Sequence, residues 1–289
     1  VVLEELKMYD DEPDSKIFEL LFQQLFKSYK NRQLVGGTIK SVAALNRNQM
    51  LEFIEKNYNF NNMIVMVTGN IDHEKLVESL ESYAKDIDLN TVKSESAKDS
   101  FIPDKLGQKD VIEKKDIAQS HLCWGLFGPP PTDKEYLAGE IIATILGGNS
   151  SSRLYQIIRE QKGLAYTVSM DIDAMSDTSI FTGYVGLDGN NIKAVKKVVN
   201  DELTKLKTTL LTEDELQRAK AYIKGTTLIS QETTSGKIRF INDAILIGLD
   251  LEIEKFLEDI ETVTISDIQN FANKYFKSDN ICFTQIIPR

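Results

Sequence analysis

The chain has 289 residues, enough for about two domains of ordinary size, and its 42% apolar and 27% charged composition is that of a globular protein with a buried core. A net charge of −10 argues against a nucleic-acid binder, which needs basic patches to displace counterions from phosphates, and favours a cationic partner or substrate. No apolar run reaches eighteen residues and no signal-peptide pattern is visible, so no membrane association is expected.

The opening stretch "VVLEELKMYDDEP" has no initiator methionine and enters a helical pattern with no capping residue, as a fragment would. Apolar residues at three- and four-residue spacing predict helices over 1–9 and about 14–29, broken at Pro13. Gly36 and Gly37 punctuate a loop, and Asn46 with Gln49 starts a helix through Phe53. "MIVMVTG" (63–69) reads as a strand, followed by a helix from Asp72 to about Tyr83. The polar stretch from Asp86 to Gln108 reads as a linker.

A second region begins with strands at Asp110–Lys115 and over 119–127. Thr132 with Glu135 forms the pattern of a capping box for a helix that stops at Gly147 and Gly148. A short helix follows from about Ser151 to Gln161. In "AYTVSMDIDA" the even positions from Tyr166 to Ala174 are apolar and the odd ones polar, the period of a strand with one buried face. Another strand covers 179–187. Helices follow near 191–208, 213–231 (capped by Thr212 with Glu215), 236–248 and 264–275, and a strand over 281–287 closes the chain. Cys123 and Cys282 lie inside strand-like apolar runs. Buried thiols are therefore expected rather than a disulfide, in a reducing, cytoplasmic setting.

The two regions repeat each other at an offset of 218. Leu45, Asn46, Met50, Phe53, Lys56 and Asn62 fall on Val263, Thr264, Ile268, Phe271, Lys274 and Asn280. Each copy is a capped helix with an aromatic anchor, a lysine, and an asparagine just before an apolar strand. The expected organisation is therefore the end of one α/β domain at 1–88, a linker at 89–108, and a related second domain at 109–289.

The stretch "LGGNSSSRLYQIIREQKGLAYTV" (146–168) sets an arginine and a tyrosine across a helix-to-strand corner. Asn149 or Ser150 would cap the helix, Leu154, Ile157 and Ile158 would face the core, and Gly163 would supply the left-handed stop. Local physics allows a plain reading: Arg159 as a charge favourable to the helix end, and Tyr166 as the first core residue of its strand. The glycines of "LGGNSS" could line a chamber or simply end a helix. Glu5 has Val1, Val2, Met8 and Tyr9 at three- and four-residue spacing, an apolar face on which a carboxylate needs a partner. Glu4 has Lys7 instead. His121 and Cys123 share a strand face, and His73 opens a helix. Neither histidine belongs to a set of three ligands such as a catalytic zinc needs.

This segment resembles the second-domain motif of the inverted zincins, the insulinase/pitrilysin-type zinc metallopeptidases that include processing proteases. "VVLEELKMYDDEP" is similar to the helix that follows the family's metal helix, and "NMIVMVTGNIDHEKL" to the strand and helix closing its first domain. The H-x-x-E-H motif does not occur, which the resemblance attributes to truncation. It implies an α+β fold of tandem homologous domains, each a mostly antiparallel sheet with helices packed on one face, the first incomplete. It implies that Glu5 is the distant zinc ligand of the full-length protein, and that Arg159 and Tyr166 bind substrate and stabilise the oxyanion. The expected function is the C-terminal portion of a zinc-dependent metalloendopeptidase acting on unfolded peptides or oligopeptides. This chain alone would be inactive and without zinc, and the working form would be a homodimer or a heterodimer with a related chain. The alternative is a noncatalytic subunit of the same fold, acting as scaffold or activating partner.

Overall fold

A computed structural model describes residues 1–26, 35–85, 110–247, 252–277 and 279–289. The expected linker at 89–108 and the end of the helix predicted to run to residue 29 lie outside them. Helices α1 (Val2–Asp11), α2 (Pro13–Leu25), α3 (Ile39–Ala43), α4 (Arg47–Asn57) and α5 (His73–Lys85) come first. Then follow β1 (Asp110–Lys115), β2 (Ser120–Gly128), α6 (Tyr136–Leu146), α7 (Arg153–Tyr155), β3 (Ala165–Ala174) and β4 (Ser179–Leu187). The last elements are α8 (Ile192–Thr208), α9 (Glu213–Ser230), α10 (Thr234–Ile247), α11 (Ile253–Thr262), α12 (Ile265–Tyr275) and β5 (Cys282–Pro288).

The five strands form one sheet in the order β1-β5-β2-β4-β3. Only β1 and β5 run parallel. The fold is α+β with a mostly antiparallel sheet. One face carries the main core, in which Trp124, Leu122, Leu126 and Phe181 pack against Ile141, Ile142, Leu146 and Phe271 of the helices. Phe181 and Phe271 meet edge-on at 5.7 Å. The indole of Trp124 lies over Gly183, where an added Cβ would stand 2.0 Å from it. The second face is not bare: Ile17, Leu21, Leu25 and Phe26, on α2 and just past its end, cover Cys123, Phe127, Ile180, Cys282 and Ile286. Gly125 lets Leu25 sink against the sheet, since a Cβ there would lie 2.8 Å from Leu25 Cδ1. Helices therefore pack on both faces, the second covered by an element from the first region.

Capping boxes form at Asn46 with Gln49, Thr212 with Glu215 and Thr264 with Asp267. The one expected at Thr132 with Glu135 does not. Asp133 Oδ1 accepts from Glu135 N instead, and the Glu135 carboxylate is taken by Lys274 (2.6 Å) and Tyr275 (2.8 Å) of α12. The helices α3 and α11 were not predicted, although α11 carries Ile253, Phe256, Leu257 and Ile260 at helical spacing. The segment 63–69 is not a strand. Met63, Ile64, Val65 and Val67 are exposed and have no ladder partner among the described residues.

The repeat at offset 218 appears in the helices themselves: α4 and α12 start and stop at positions related by that offset, each with a capping box. Their surroundings differ. Phe271 is 1% exposed whereas its counterpart Phe53 is 60% exposed, and across 35–85 only Asn59 is buried. No helix among the described residues is long and apolar enough to cross a membrane.

Candidate functional site

Arg159 and Tyr166 flank a corner built from three local features. First, α7 continues through Gln156–Gln161 as a wider, π-type turn, in which Lys162 N donates to Ile157 O five residues back at 3.2 Å. Second, Gly163 ends it in the left-handed region at φ 59°, as its sequence position required. Third, β3 opens with a bulge: Ala165 pairs with Leu187 and Thr167 with Gly186, so Tyr166 is the extra, unpaired residue. The bulge moves Ala165 into the core and turns Tyr166 outward, leaving it 81% exposed. Tyr166 is therefore not the first core residue of its strand.

The corner brings the two side chains' residues into direct contact. Arg159 Nη1 donates to Tyr166 O at 2.7 Å, and the guanidinium carbon lies 5.1 Å from the centre of the Tyr155 ring. Glu160 Oε1 is 3.6 Å from Arg159 Nε. Leu154 and Ile158 are buried beneath the helix, as expected. Arg153, at its start, binds Glu215 of α9 at 2.9 Å and Glu202 of α8 at 3.5 Å, and the Glu202 side chain is only 4% exposed. Burial pulls the Glu215 carboxyl up, but hydrogen bonds from Thr212 and Arg153 outweigh it and hold the carboxyl below the usual range. The corner thus rests on a helix fixed to two others through a partly desolvated cation.

The expected caps are displaced. Ser152, not Asn149 or Ser150, precedes the helix and makes no side-chain cap bond, while Asn149 Oδ1 accepts from Ser151 N at 2.8 Å. The glycines of "LGGNSS" serve a close approach. Gly147 O accepts from Met170 N at 3.3 Å, and a Cβ on Gly147 would stand 2.3 Å from that nitrogen. Here they are a helix stop seated against the edge strand β3.

Glu5 is exposed on α1, and so are Val1, Val2, Met8 and Tyr9, so its apolar neighbours form an open face. Glu4 binds Lys7 at 2.8 Å, as its spacing suggested. The far end of α1 is fastened to β1. Lys115 Nζ donates to the Asp10 carbonyl and stands 3.6 Å from its carboxylate, and Lys16 bonds the same carboxylate at 2.7 Å. These cations, Lys16 first, hold the Asp10 carboxyl below its usual range against the opposing effect of burial. β1 and β3 are the two edges of the sheet, so four strand spacings, roughly 19 Å, separate this anchorage from the Arg–Tyr corner. No hydrogen bond or ion pair links Glu5 to the pair among the described residues.

Among the described residues no group of three or more His, Cys, Asp or Glu side chains could hold a metal ion. His121 Nδ1 lies 2.8 Å from Tyr184 Oη, and burial lowers its pKa. His73 is exposed at the start of α5. Cys123 and Cys282 are free buried thiols, and burial pushes Cys282 up to about 12. The sequence reading missed Tyr155, whose i, i+4 spacing to Arg159 was the available signal. It also missed a cavity of about 1260 Å³ lined by Tyr136, Glu140, Asp173, Phe240 and Phe256, among others.

A mostly antiparallel sheet with helices on both faces and an outward Arg–Tyr corner at its edge defines an α+β protein, the class that the resemblance to the metallopeptidases implies. The chain belongs to the M16 peptidase family: the model described as the peptidase M16 inactive domain matches residues 44–223. It is 32% identical over 280 residues to a protein of Rickettsia felis named an uncharacterized zinc protease, covering 96% of this chain and 66% of that one. An uncharacterized zinc protease of Bacillus subtilis is 27% identical, with 96% and 67% covered. The chain thus spans about two thirds of the length of these relatives. Among solved structures, a protease from Helicobacter pylori shares the fold at TM-score 0.89 and 20% identity, covering 99% of this chain and 70% of that one. A peptidase M16 inactive domain from Pseudomonas fluorescens shares it at TM-score 0.86 and 18% identity, with 100% and 69% covered.

Proposed function

We propose that this chain is the C-terminal portion of a zinc-dependent metalloendopeptidase that cleaves unfolded peptides, and that Arg159 and Tyr166 act on the substrate. The observation that carries the reading is the bulge, which turns the Tyr166 phenol into solvent on a residue whose own carbonyl oxygen holds the Arg159 guanidinium. A peptide carbonyl gains negative charge on its oxygen when attacked, and N–H and O–H donors already in place stabilise that oxygen without reorganising. Arg159 spends one N–H on Tyr166 O and keeps others for a substrate carbonyl, and Tyr166 contributes its O–H.

In this reading Glu5 supplies one zinc ligand in the full-length protein. A single carboxylate does not make a metal centre, so this chain's share of the chemistry is substrate binding and charge stabilisation. Bound zinc would supply Lewis-acid activation. The open faces of α1, α4 and 63–69 support an incomplete first domain at 1–88, since a seven-residue apolar segment needs pairing partners for its backbone. The separation of α1's anchorage from the corner supports a site assembled between chains, as a homodimer or with a related subunit.

A noncatalytic subunit is the second reading, favoured by the description of the matched model as an inactive domain. The full-length protein, assayed on unfolded fluorogenic peptides, separates the two. Arg159→Ala and Tyr166→Phe should each lower kcat on the order of 10²–10³ with zinc content unchanged. Glu5→Gln should weaken zinc retention under chelator challenge. Wild-type turnover in Tyr166→Phe would remove the role assigned to the pair, and no turnover in the parent would favour the noncatalytic reading.

A further inference from the structure

We propose that Tyr155 is a positioning residue: its ring is the platform that fixes the plane of the Arg159 guanidinium. The inference rests on the role given above to the Arg–Tyr pair and extends it to a residue that touches no substrate. Arginine side chains carry large rotamer entropy, and the Arg159 side chain is 44% exposed. The bond from Nη1 to Tyr166 O fixes one point of the guanidinium but leaves rotation about that point. The Tyr155 ring, 5.1 Å away, adds a face against which a cation is attracted. A point and a plane together set where the remaining donors aim.

The ring is suited to this because it is itself held. Tyr155 is half-buried and packs against the main core, so its face is presented by a fixed body. Its hydroxyl makes no hydrogen bond among the described residues, which leaves the ring as the working part. A competitor stands nearby. Glu160 Oε1, 3.6 Å from Nε, is exposed and attracts the same cation. Without the ring the guanidinium is free to turn toward Glu160 and away from the space beside Tyr166. Residue 159 sits in the wide turn at Gln156–Gln161, from which it meets both the Tyr155 ring and the Tyr166 carbonyl.

Two measurements test this. In the present chain, ¹⁵N relaxation at Arg159 Nε should report a more mobile guanidinium in Tyr155→Leu and an unchanged one in Tyr155→Phe. In the full-length protein, Tyr155→Leu should lower kcat on unfolded peptides about two- to fivefold with KM and melting temperature little changed. Tyr155→Phe should keep the parent rate, and Tyr155→Leu should have no further effect in an Arg159→Ala background. An immobile Arg159 in Tyr155→Leu overturns the proposal, as does a Tyr155→Phe variant as impaired as Tyr155→Leu. If Arg159→Ala leaves turnover intact, the role of the pair fails, and the relaxation measurement still decides whether Tyr155 orders the guanidinium.

Discussion

Replacing Glu140 by glutamine should make the protein more stable, and only above mildly acidic pH. Glu140 titrates at about 7 in the fold, against 4.5 for an unburied glutamate, chiefly because of burial. The Tyr136 hydroxyl, 2.5 Å from Oε1, works the other way, and Asp171 and Asp173 add repulsion. Between pH 4.5 and 7 the unfolded chain has released this proton and the folded chain has kept it. The folded state then binds more protons, so stability falls as pH rises through that window. At roughly 1.36 kcal/mol per pKa unit, the difference amounts to about 3 kcal/mol once both states are ionised. Glu140→Gln keeps an oxygen for the Tyr136 hydroxyl and removes the charge. Urea unfolding at pH 8 should show the variant more stable than the parent by up to about 3 kcal/mol, and near pH 4 the two should coincide. An equal gain at both pH values, or a loss at pH 8, would refute the assignment of a half-buried, repelled carboxylate.

Gly183→Ala should be strongly destabilising, by about 3 kcal/mol or more, because the new methyl would overlap the Trp124 indole within a filled core; melting curves with near-ultraviolet circular dichroism would follow both stability and the indole's environment. Phe271→Ala should cost about 3–5 kcal/mol in denaturant unfolding, whereas Phe53→Ala, its repeat counterpart, should lie within roughly 0.5 kcal/mol of the parent in the present chain.

What was legible in the sequence divides along the range of the forces involved. Capping boxes at Asn46 and Thr212 form as read, because their donors and acceptors lie within four residues. The same pattern at Thr132 fails because Lys274 and Tyr275, from a helix 140 residues away in the chain, take the Glu135 carboxylate. The alternation of β3 predicted its buried face from Val168 to Ile172, but a bulge at its first turn leaves no mark on a period of two, so Tyr166 was assigned inward. The Arg–Tyr corner itself was visible, since Gly163 and the spacing of the pair are local features. Its support by Tyr155 was visible only as a spacing, and the pairing of Arg153 with Glu202 and Glu215 depends on how α8 and α9 pack.

The repeated unit shows why pattern alone cannot separate a face able to be buried from one that is. Under the offset of 218, α4 and α12 share their bounds, their capping chemistry and their aromatic anchor. The difference comes from the segment that follows. β5 lies between β1 and β2 in the sheet whose Phe181 packs edge-on against Phe271, while 63–69 pairs with no strand among the described residues and Phe53 faces solvent. Among the described residues α12 has its sheet and α4 does not, so the same residues that add stability in one copy present an adhesive surface in the other. Glu5 lies on α1 in this open part of the chain, among apolar side chains likewise exposed. A carboxylate in that position changes character when the face is covered. In water it is solvated, and once its neighbours are buried it must find a counter-charge. The metal role proposed for Glu5 therefore depends on completing the first unit, whereas the geometry of Arg159 and Tyr166 is already set by the second.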